Sequence, residues 1–521
     1  MTRPASIRAA APAALVLTGV LLLSACAGGS TTSSTSAGAP DSSATFRYAN
    51  ATDAGKNYDP VSSGNPFAPG FLLPVYDRLF DIDATGAVIP MLATSSEVST
   101  DGLTVTLKLR EHVTFHDGTP FDAAAVKANI ERGKTNPKSS VKASLSSVAS
   151  VAVVDPNTVT LTLTKPNGAL DATLSDRAGM MVSPAAMSKP NLDLMPVGAG
   201  PYKVVADDPG VKVTYEKYNG YYAPNADAVK TIEMSILIDP EARLRGLETG
   251  QFDGAALNMN QLDAAKRTSI LIAPAPEVST ATYIIYLNMA RVPALADPKV
   301  RAAMALAIDR NGINKGVLNG ACKPSAQIFP DSYWASSKKI PPTALDYDPK
   351  KAKAMLAEAG YPNGFEITLA AINAQQYSNV AEAVAAQLSA IGLKVNVQVT
   401  EPVQLLGNFI AQKTTDAYVS IWPGANDPST TVGSLYLPTG LYNPGALDVP
   451  AITSAAAEGI NGKDRAARAT SYQALAEATV AQHVHLPICS ASLPNALTSK
   501  VSNLRETSAT ALDLRNVTMS K

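Results

Sequence analysis

The sequence predicts an α/β protein of more than one domain. Its 521 residues exceed the roughly 250–300 at which a single hydrophobic core stops growing. Two early segments alternate apolar and polar residues with a period of two, the mark of half-buried strands. Beyond Tyr283, helices and strands alternate with short connections, as in an α/β layer. An apolar fraction of 46% with a formal charge of -1 excludes a disordered chain. The balance of 43 Lys and Arg against 44 Asp and Glu gives no support to a broad nucleic-acid surface.

The first 25 residues stand apart from this body. Arg3 and Arg8 precede an apolar run from Ala13 to Leu23, and small residues lead to Cys26. That order is a secretory signal, and the run is shorter than the about 20 residues of a membrane span. A signal ending at a cysteine resembles a bacterial lipoprotein box, which implies a diacylated Cys26 as first residue of the mature chain. An ordinary secreted protein with an incidental Cys26 is the alternative. Residues 26–44, dominated by Ser, Thr, Gly and Ala, read as a flexible tether. Losing Arg3 and Arg8 leaves 41 basic against 44 acidic residues, a net charge of about -3. Export permits a disulfide between the remaining cysteines, Cys322 and Cys489. The loop it closes would stabilise the chain by roughly 4–5 kcal/mol; two buried free thiols are the alternative.

Along the body, Thr45 to Tyr48 reads as a strand, followed by an Asn-, Asp-, Pro- and Gly-rich loop from Asp53 to Gly70. Leu72 to Phe80 reads as a helix interrupted by Pro74. Leu103 to Leu109 alternates as a strand; Asp117-Gly118 turns; Asp122 caps a helix from Ala123 to Arg132; Val159, Leu161 and Leu163 mark a second strand. Residues 191–283 carry strands at 202–205, 211–215 and 232–237, then a helix from Glu241 to Thr249 stopped by Gly250. The third unit has a helix from Lys299 to Ile308, one capped by Asp348-Pro349 and stopped by Gly360, one from Asn379 to Ala390, and a strand from Leu393 to Val399.

Several cues lead away from function. Gly133-Lys134-Thr135 looks like the end of a phosphate loop, but the required earlier glycine is Ala128. His483 and His485 could share a strand face near Cys489, yet His112 and His116 lie in another unit, and a metal needs three or four convergent ligands. There is no G-x-S-x-G or H-E-x-x-H. No metal, cofactor or catalytic residue is expected. Trp422 ends an apolar stretch and precedes a Gly/Pro turn, a setting that presents an indole at a cleft rim; a core tryptophan is the alternative.

Four segments then point to one family: residues 113–122, VTFHDGTPFD; 197–202, VGAGPY; 244–253, ending in Asp253; and 297–310, DPKVRAAMALAIDR. In this order they resemble the family 5 extracellular solute-binding proteins, the dipeptide-, oligopeptide- and nickel-binding receptors of ABC importers. The resemblance implies an α/β fold like the large type II periplasmic-binding proteins, two lobes around a ligand cleft plus a small α+β domain. Lobe I would combine 45–80, 191–283 and 495–521, the small domain 81–190, and lobe II 284–494. It implies capture of a peptide or peptide-like solute by hinge closure and delivery to ABC permease subunits with associated ATPases, by a lipid-anchored monomer on the extracytoplasmic membrane face.

Peptide-binding relatives commonly carry Trp-x-x-Asp, whose carboxylate meets the peptide amine; here that position is Ala425, and Asp427 follows two residues later. A buried ammonium without a counter-charge is costly. Either Asp427 or another loop supplies the charge, or the ligand lacks that amine. Trp422 and Asp427 are therefore the expected ligand contacts, with Tyr418, Asn65 and Tyr286 added from their loop or strand-end positions. Rival readings are a non-peptide receptor of the same fold, a surface peptide receptor without transport, and a secreted hydrolase.

Overall fold

Strands Thr282–Leu287, Ala417–Trp422 and Leu486–Ala491 are buried along their whole length, so their near-continuous apolar character places them inside a sheet covered on both faces. In the computed structural model, which describes residues 38–521 except 54–56, 64, 66, 67 and 374, they form the centre of a six-stranded sheet. The signal segment, Cys26 and the start of the tether lie outside the described residues. This sheet also takes Cys322–Pro324, Glu366–Ile372 and Lys394–Thr400, and the body built on it is called lobe II below. Helices Pro298–Leu306, Pro349–Glu358, Gln375–Ala390 and Arg465–Gln482 pack their apolar residues, among them Val300, Met304, Leu356, Leu388 and Leu475, into its core. Asp348 accepts from the Lys351 amide at 2.9 Å with Pro349 in the first turn, as the cap pattern requires.

A seven-stranded sheet defines lobe I. Its strands come from three distant parts of the chain: Thr45–Asn50, then five between Tyr202 and Ile272, then Asn495–Leu497. Thr45–Asn50 pairs in parallel with Thr231–Ile236 on one side and Gly254–Ala256 on the other. The small domain is a four-stranded antiparallel sheet, Ala93–Val98, Thr104–Leu109, Thr158–Leu163 and Val148–Asp155, against helix Ala123–Thr135, which Asp122 caps through the Ala125 amide. Residues 72–80 differ from expectation: only Pro69–Leu72 is helical, and Phe80–Ile82 is a strand. Pro74 has no amide hydrogen to continue the helix, and the segment packs as irregular backbone around Gly198 and Gly200.

The signature segments prove to be joints. His116 sets Nε2 2.8 Å from the Gly200 carbonyl, and its Nδ1 faces the Gly198 amide at 3.4 Å, so the residues of the first signature bind those of the second. Burial holds this imidazole neutral, with its pKa lowered to about 4. Asp253 receives Arg47 through two side-chain bonds of 2.9 and 3.0 Å. Arg301 donates to the carbonyls of Leu295, Ala296, Gln482 and His483, and Arg310 to those of Ala305 and Pro487. These buried guanidiniums tie helix ends to strand ends. Cys322 and Cys489 form a disulfide that joins neighbouring strands of lobe II.

A buried ionic network joins lobe I, the root of the small domain and the C-terminal segment. Arg515 pairs with Asp77, Asp81 and Asp513; Arg505 pairs with Asp81 and Asp513; Arg78 pairs with Asp81. Tyr221 and Tyr222 add hydroxyl bonds to Asp77 at 2.9 and 2.8 Å. Burial alone would raise Asp81, but Arg78, Arg515 and Arg505 bring its pKa down to about 2. Asp513 is held still lower, Arg515 foremost outweighing its burial.

A group whose folded pKa is depressed contributes stability that is complete above its unfolded value, about 4 for Asp, and is lost as pH falls through the folded value. Asp81 and Asp513 therefore make the protein lose stability on acidification from about pH 4 towards pH 2. Arg515→Met leaves buried Asp77 without its ion-pair partner and takes one cation each from Asp81 and Asp513; it is expected to cost about 3–5 kcal/mol in urea unfolding at pH 7, with a flatter loss below pH 4. Unchanged stability at pH 7 in this variant would refute the role given to the network.

Candidate ligand cleft

Two crossings connect the lobes side by side, residues 273–281 and 492–494. Ser279 Oγ donates to the Ala491 carbonyl at 2.7 Å, the Ala491 amide to Ala281 at 3.0 Å, and the Ala273 amide to Asn495 at 2.7 Å. Trp422 lies opposite Thr282, the first strand residue after the crossing, so the strand ending in Trp422 delivers its following turn to the hinge. Thr280 is the clasp. Its Oγ1 receives the Ala425 amide at 3.1 Å and sits 2.9 Å from the Ser508 carbonyl. Gly424 adopts φ +88°, and a Cβ there would fall 2.1 Å from Thr280 Oγ1, so this turn requires glycine.

Lobe II also meets the other parts of the body directly. The Gly168 amide of the small domain donates to Ile460 at 2.8 Å, Asn426 Nδ2 approaches the Ser175 carbonyl at 3.4 Å, and Thr510 Oγ1 donates to Pro423 at 3.1 Å. The Trp422–Asp427 turn is thus held from the hinge, from the small domain and from the C-terminal segment.

The expected contact residues fall into separate groups. Trp422 is 7% exposed; its indole N–H donates to Thr431 Oγ1 at 3.1 Å, and its ring meets Tyr442 edge-on at 5.7 Å. Tyr442 leads to Tyr286 at 5.2 Å, and Tyr286 stacks on Tyr418 at 4.3 Å. Tyr286 and Tyr418 are therefore walled into lobe II, 1% and 2% exposed. Their two strands are buried on both faces, which apolar alternation alone does not separate from half-exposed ones. Asn65 lies in the loop after the first strand of lobe I, where Nδ2 donates to the Asp53 carbonyl at 2.8 Å.

Asp427 caps helix Pro428–Leu435. Its Oδ1 accepts from the Ser429 amide at 2.9 Å, from Ser429 Oγ at 2.6 Å and from Arg468 at 2.6 Å. Arg468, at 6% side-chain exposure, also donates to the Gly459 carbonyl and lies 5.4 Å from the Trp334 ring. The charge expected to meet a ligand amine is thus already balanced inside lobe II. Thr280 and Arg468 escape sequence reading. An Asp-Pro pair announces a helix cap, but nothing local shows which distant cation answers it.

The two histidines near Cys489 do not share a strand face. His483 closes helix Arg465–Gln482 with φ 46°, outside the strand that follows. His485 faces the Leu287 amide through Nδ1 at 3.2 Å and the Leu435 carbonyl through Nε2 at 3.0 Å. Among the described residues no three His, Cys, Asp or Glu side chains are grouped to hold a metal, and no helix is long and apolar enough to cross a membrane.

Residues 87–443 match the family described as bacterial extracellular solute-binding proteins, family 5 middle. The chain belongs to this family. The family is one of extracellular solute-binding proteins, which places this chain on the extracytoplasmic side. The glutathione-binding protein GsiB of Escherichia coli O1:K1 is 34% identical over 353 residues, 65% of this chain and 66% of that protein. The chain thus aligns with just under two thirds of that relative's length. Among solved structures, DppA from Helicobacter pylori in complex with the peptide STSA superposes with a TM-score of 0.80 at 23% identity, covering 92% of this chain and 98% of that one. AgaA in complex with agropinic acid, from A. tumefacien R10, gives a TM-score of 0.80 at 25% identity, covering 92% and 99%. These likenesses fix the fold as the two-lobe α/β type of periplasmic-binding proteins.

Arg468→Met leaves Asp427 buried without a cation and is expected to cost about 3–5 kcal/mol of stability. The double variant Arg468→Met, Asp427→Asn removes the stranded charge and should recover part of that loss in the same urea titration. If the single variant unfolds like the wild type, the pair does not hold the turn.

Proposed function

We propose that this protein captures a peptide-like solute between its lobes and delivers it to ABC permease subunits powered by ATPases, while a lipid on Cys26 keeps it at the extracytoplasmic membrane face. The two crossings form the hinge, and the turn from Trp422 to Asp427 forms the part of the cleft wall that selects the solute. Lobes 45–80 with 191–283 and 495–521, and 284–494, close on it, with 81–190 riding on the first. The Trp422 indole, already committed through its N–H to Thr431, offers its ring rather than a donor. Asn65 contributes from the facing lobe. Tyr286 and Tyr418 support the indole from behind, and Asp427 shapes the turn through Arg468.

The observation that carries this reading is the charge state of the turn. Ala425 has no carboxylate, and Asp427 is neutralised by Arg468 at 2.6 Å. A linear peptide that relies on an acidic residue in this turn for its α-ammonium would leave that charge buried and unpaired. Glutathione, for which the curated relatives are named, carries its α-ammonium beside a free α-carboxylate that partly balances it within the solute, and so depends less on this anchor, as would an opine like agropinic acid. Such a solute's carboxylate and amide groups would meet backbone donors and acceptors of the cleft.

Calorimetric titration of the full-length protein with glutathione, agropinic acid and the dipeptide Met-Leu tests this. One of the first two is expected to bind at least about tenfold tighter than Met-Leu, and Trp422→Ala is expected to weaken it by about tenfold. Tightest binding of Met-Leu would show that an ordinary amine anchor exists elsewhere and would overturn the reading. An unaltered affinity in Trp422→Ala would remove the indole from the cleft wall.

A further inference from the structure

A second cavity lies at the hinge and shares no residue with the Trp422–Asp427 turn. It has a volume of about 510 Å³, within the range of small-molecule sites. Both lobes and both crossings wall it: Glu277 and Ser279 from one crossing, Ser492 from the other, Lys323 and Asp331 from lobe II, and Glu506 from lobe I. Lys323 Nζ and Asp331 pair at 2.7 Å and cancel. Two carboxyl groups remain, the exposed Glu277 and the buried Glu506.

Glu506 is 7% exposed. Its Oε2 takes a long bond from Asn495 Nδ2 at 3.4 Å, and Asn495 is itself held by the Tyr48 hydroxyl. Its Oε1 is buried without a hydrogen-bond partner. Among the described residues no cation pairs with this carboxyl. Burial first of all, against the Leu493 amide and Asn495, raises its pKa to about 8. Tyr48, the lobe I side chain that interacts electrostatically with it, is held far above its usual value by burial and by Glu506 itself, against the more distant pull of Arg243. An unsatisfied buried carboxyl on the wall of an acidic cavity is a group that lacks its partner.

We propose that this hinge cavity is a second ligand site, which takes a small organic ammonium ion whose charged nitrogen pairs with Glu506. On binding, the carboxyl releases its proton to solvent, so an ammonium and a neutral acid become an ion pair plus one free proton. The Ser279 and Ser492 segments offer oxygen acceptors for the remaining ammonium hydrogens, and the paired Lys323 and Asp331 leave the cavity's excess negative charge intact. The guest touches both lobes, and it is distinct from the solute held at the Trp422 turn.

The probe is 1,4-diaminobutane, titrated calorimetrically into the full-length protein in two buffers of different ionisation heat. Saturable binding with release of close to one proton is expected at pH 7. From pH 6 to pH 8 the affinity should rise at least about tenfold, because ionising Glu506 no longer costs the bound state a proton. Glu506→Gln, which keeps the shape, should bind at least about tenfold more weakly and release no proton. Neutral 1,4-butanediol should not compete, and Trp422→Ala should leave diaminobutane binding unchanged. Absence of saturable binding, equal binding by Glu506→Gln, a flat pH profile, or loss of binding in Trp422→Ala would each overturn the proposal. The wild-type pH profile decides the matter if Glu506→Gln does not fold.

Discussion

The six-residue ionic cluster around Arg515 is the constraint on which the arrangement of the body depends. Three arginines and three aspartates balance one another where lobe I, the small domain and the C-terminal segment converge. Taking so many charges from water is unfavourable unless each finds its partners, and leaving one behind is worse. The cluster therefore contributes less through net attraction than through exclusivity: a segment placed elsewhere would strand a charge. It fixes where the last residues lie, and those residues in turn meet the hinge, with Ser508 against Thr280 and Thr510 against Pro423. The position of the Trp422–Asp427 turn is thus linked, through the C-terminal segment, to a site in a different layer of the molecule.

Polar economy of the same kind recurs wherever the chain must join distant elements. Arg301, Arg310 and Arg468 are buried guanidiniums whose donors are spent mainly on carbonyl groups at helix and strand ends. A guanidinium suits this work because its rigid fork reaches several acceptors at once. Where a buried charge lacks such a partner, as at Glu506, the proton takes its place. That contrast separates the parts of the molecule that are structurally complete from the part that is open to a guest.

Local chemistry made much of this fold legible. Asp122 and Asp348 cap the helices that their positions announce, and the alternation around Val105, Leu107 and Leu109 marks a strand. The family and its fold class were legible because four segments occur in a fixed order, and the structure explains them as joints: His116 binds Gly200, and Arg301 and Arg310 stitch helices to strands. What stayed hidden depends on partners far away in sequence. Asp427 looks like a free carboxylate until Arg468 is placed beside it. Tyr286 and Tyr418 look accessible until the lobe II core closes over both faces of their sheet. The departure at residues 72–80 has a similar origin, since tertiary packing around Gly198 and Gly200 overrides local helical preference.

The strand Asn495–Leu497 lies between Gly254–Ala256 and Leu271–Ile272 in the lobe I sheet, although those neighbours were made more than two hundred residues earlier. During synthesis lobe I must wait with a gap in its sheet and an unfilled ionic cluster until nearly the whole chain exists. Such long loop closures are slow, and an incomplete sheet cannot bury its core. A protein destined for the far side of a membrane gains from that delay, because the chain remains threadable for most of its time on the ribosome and locks only once its last segment arrives.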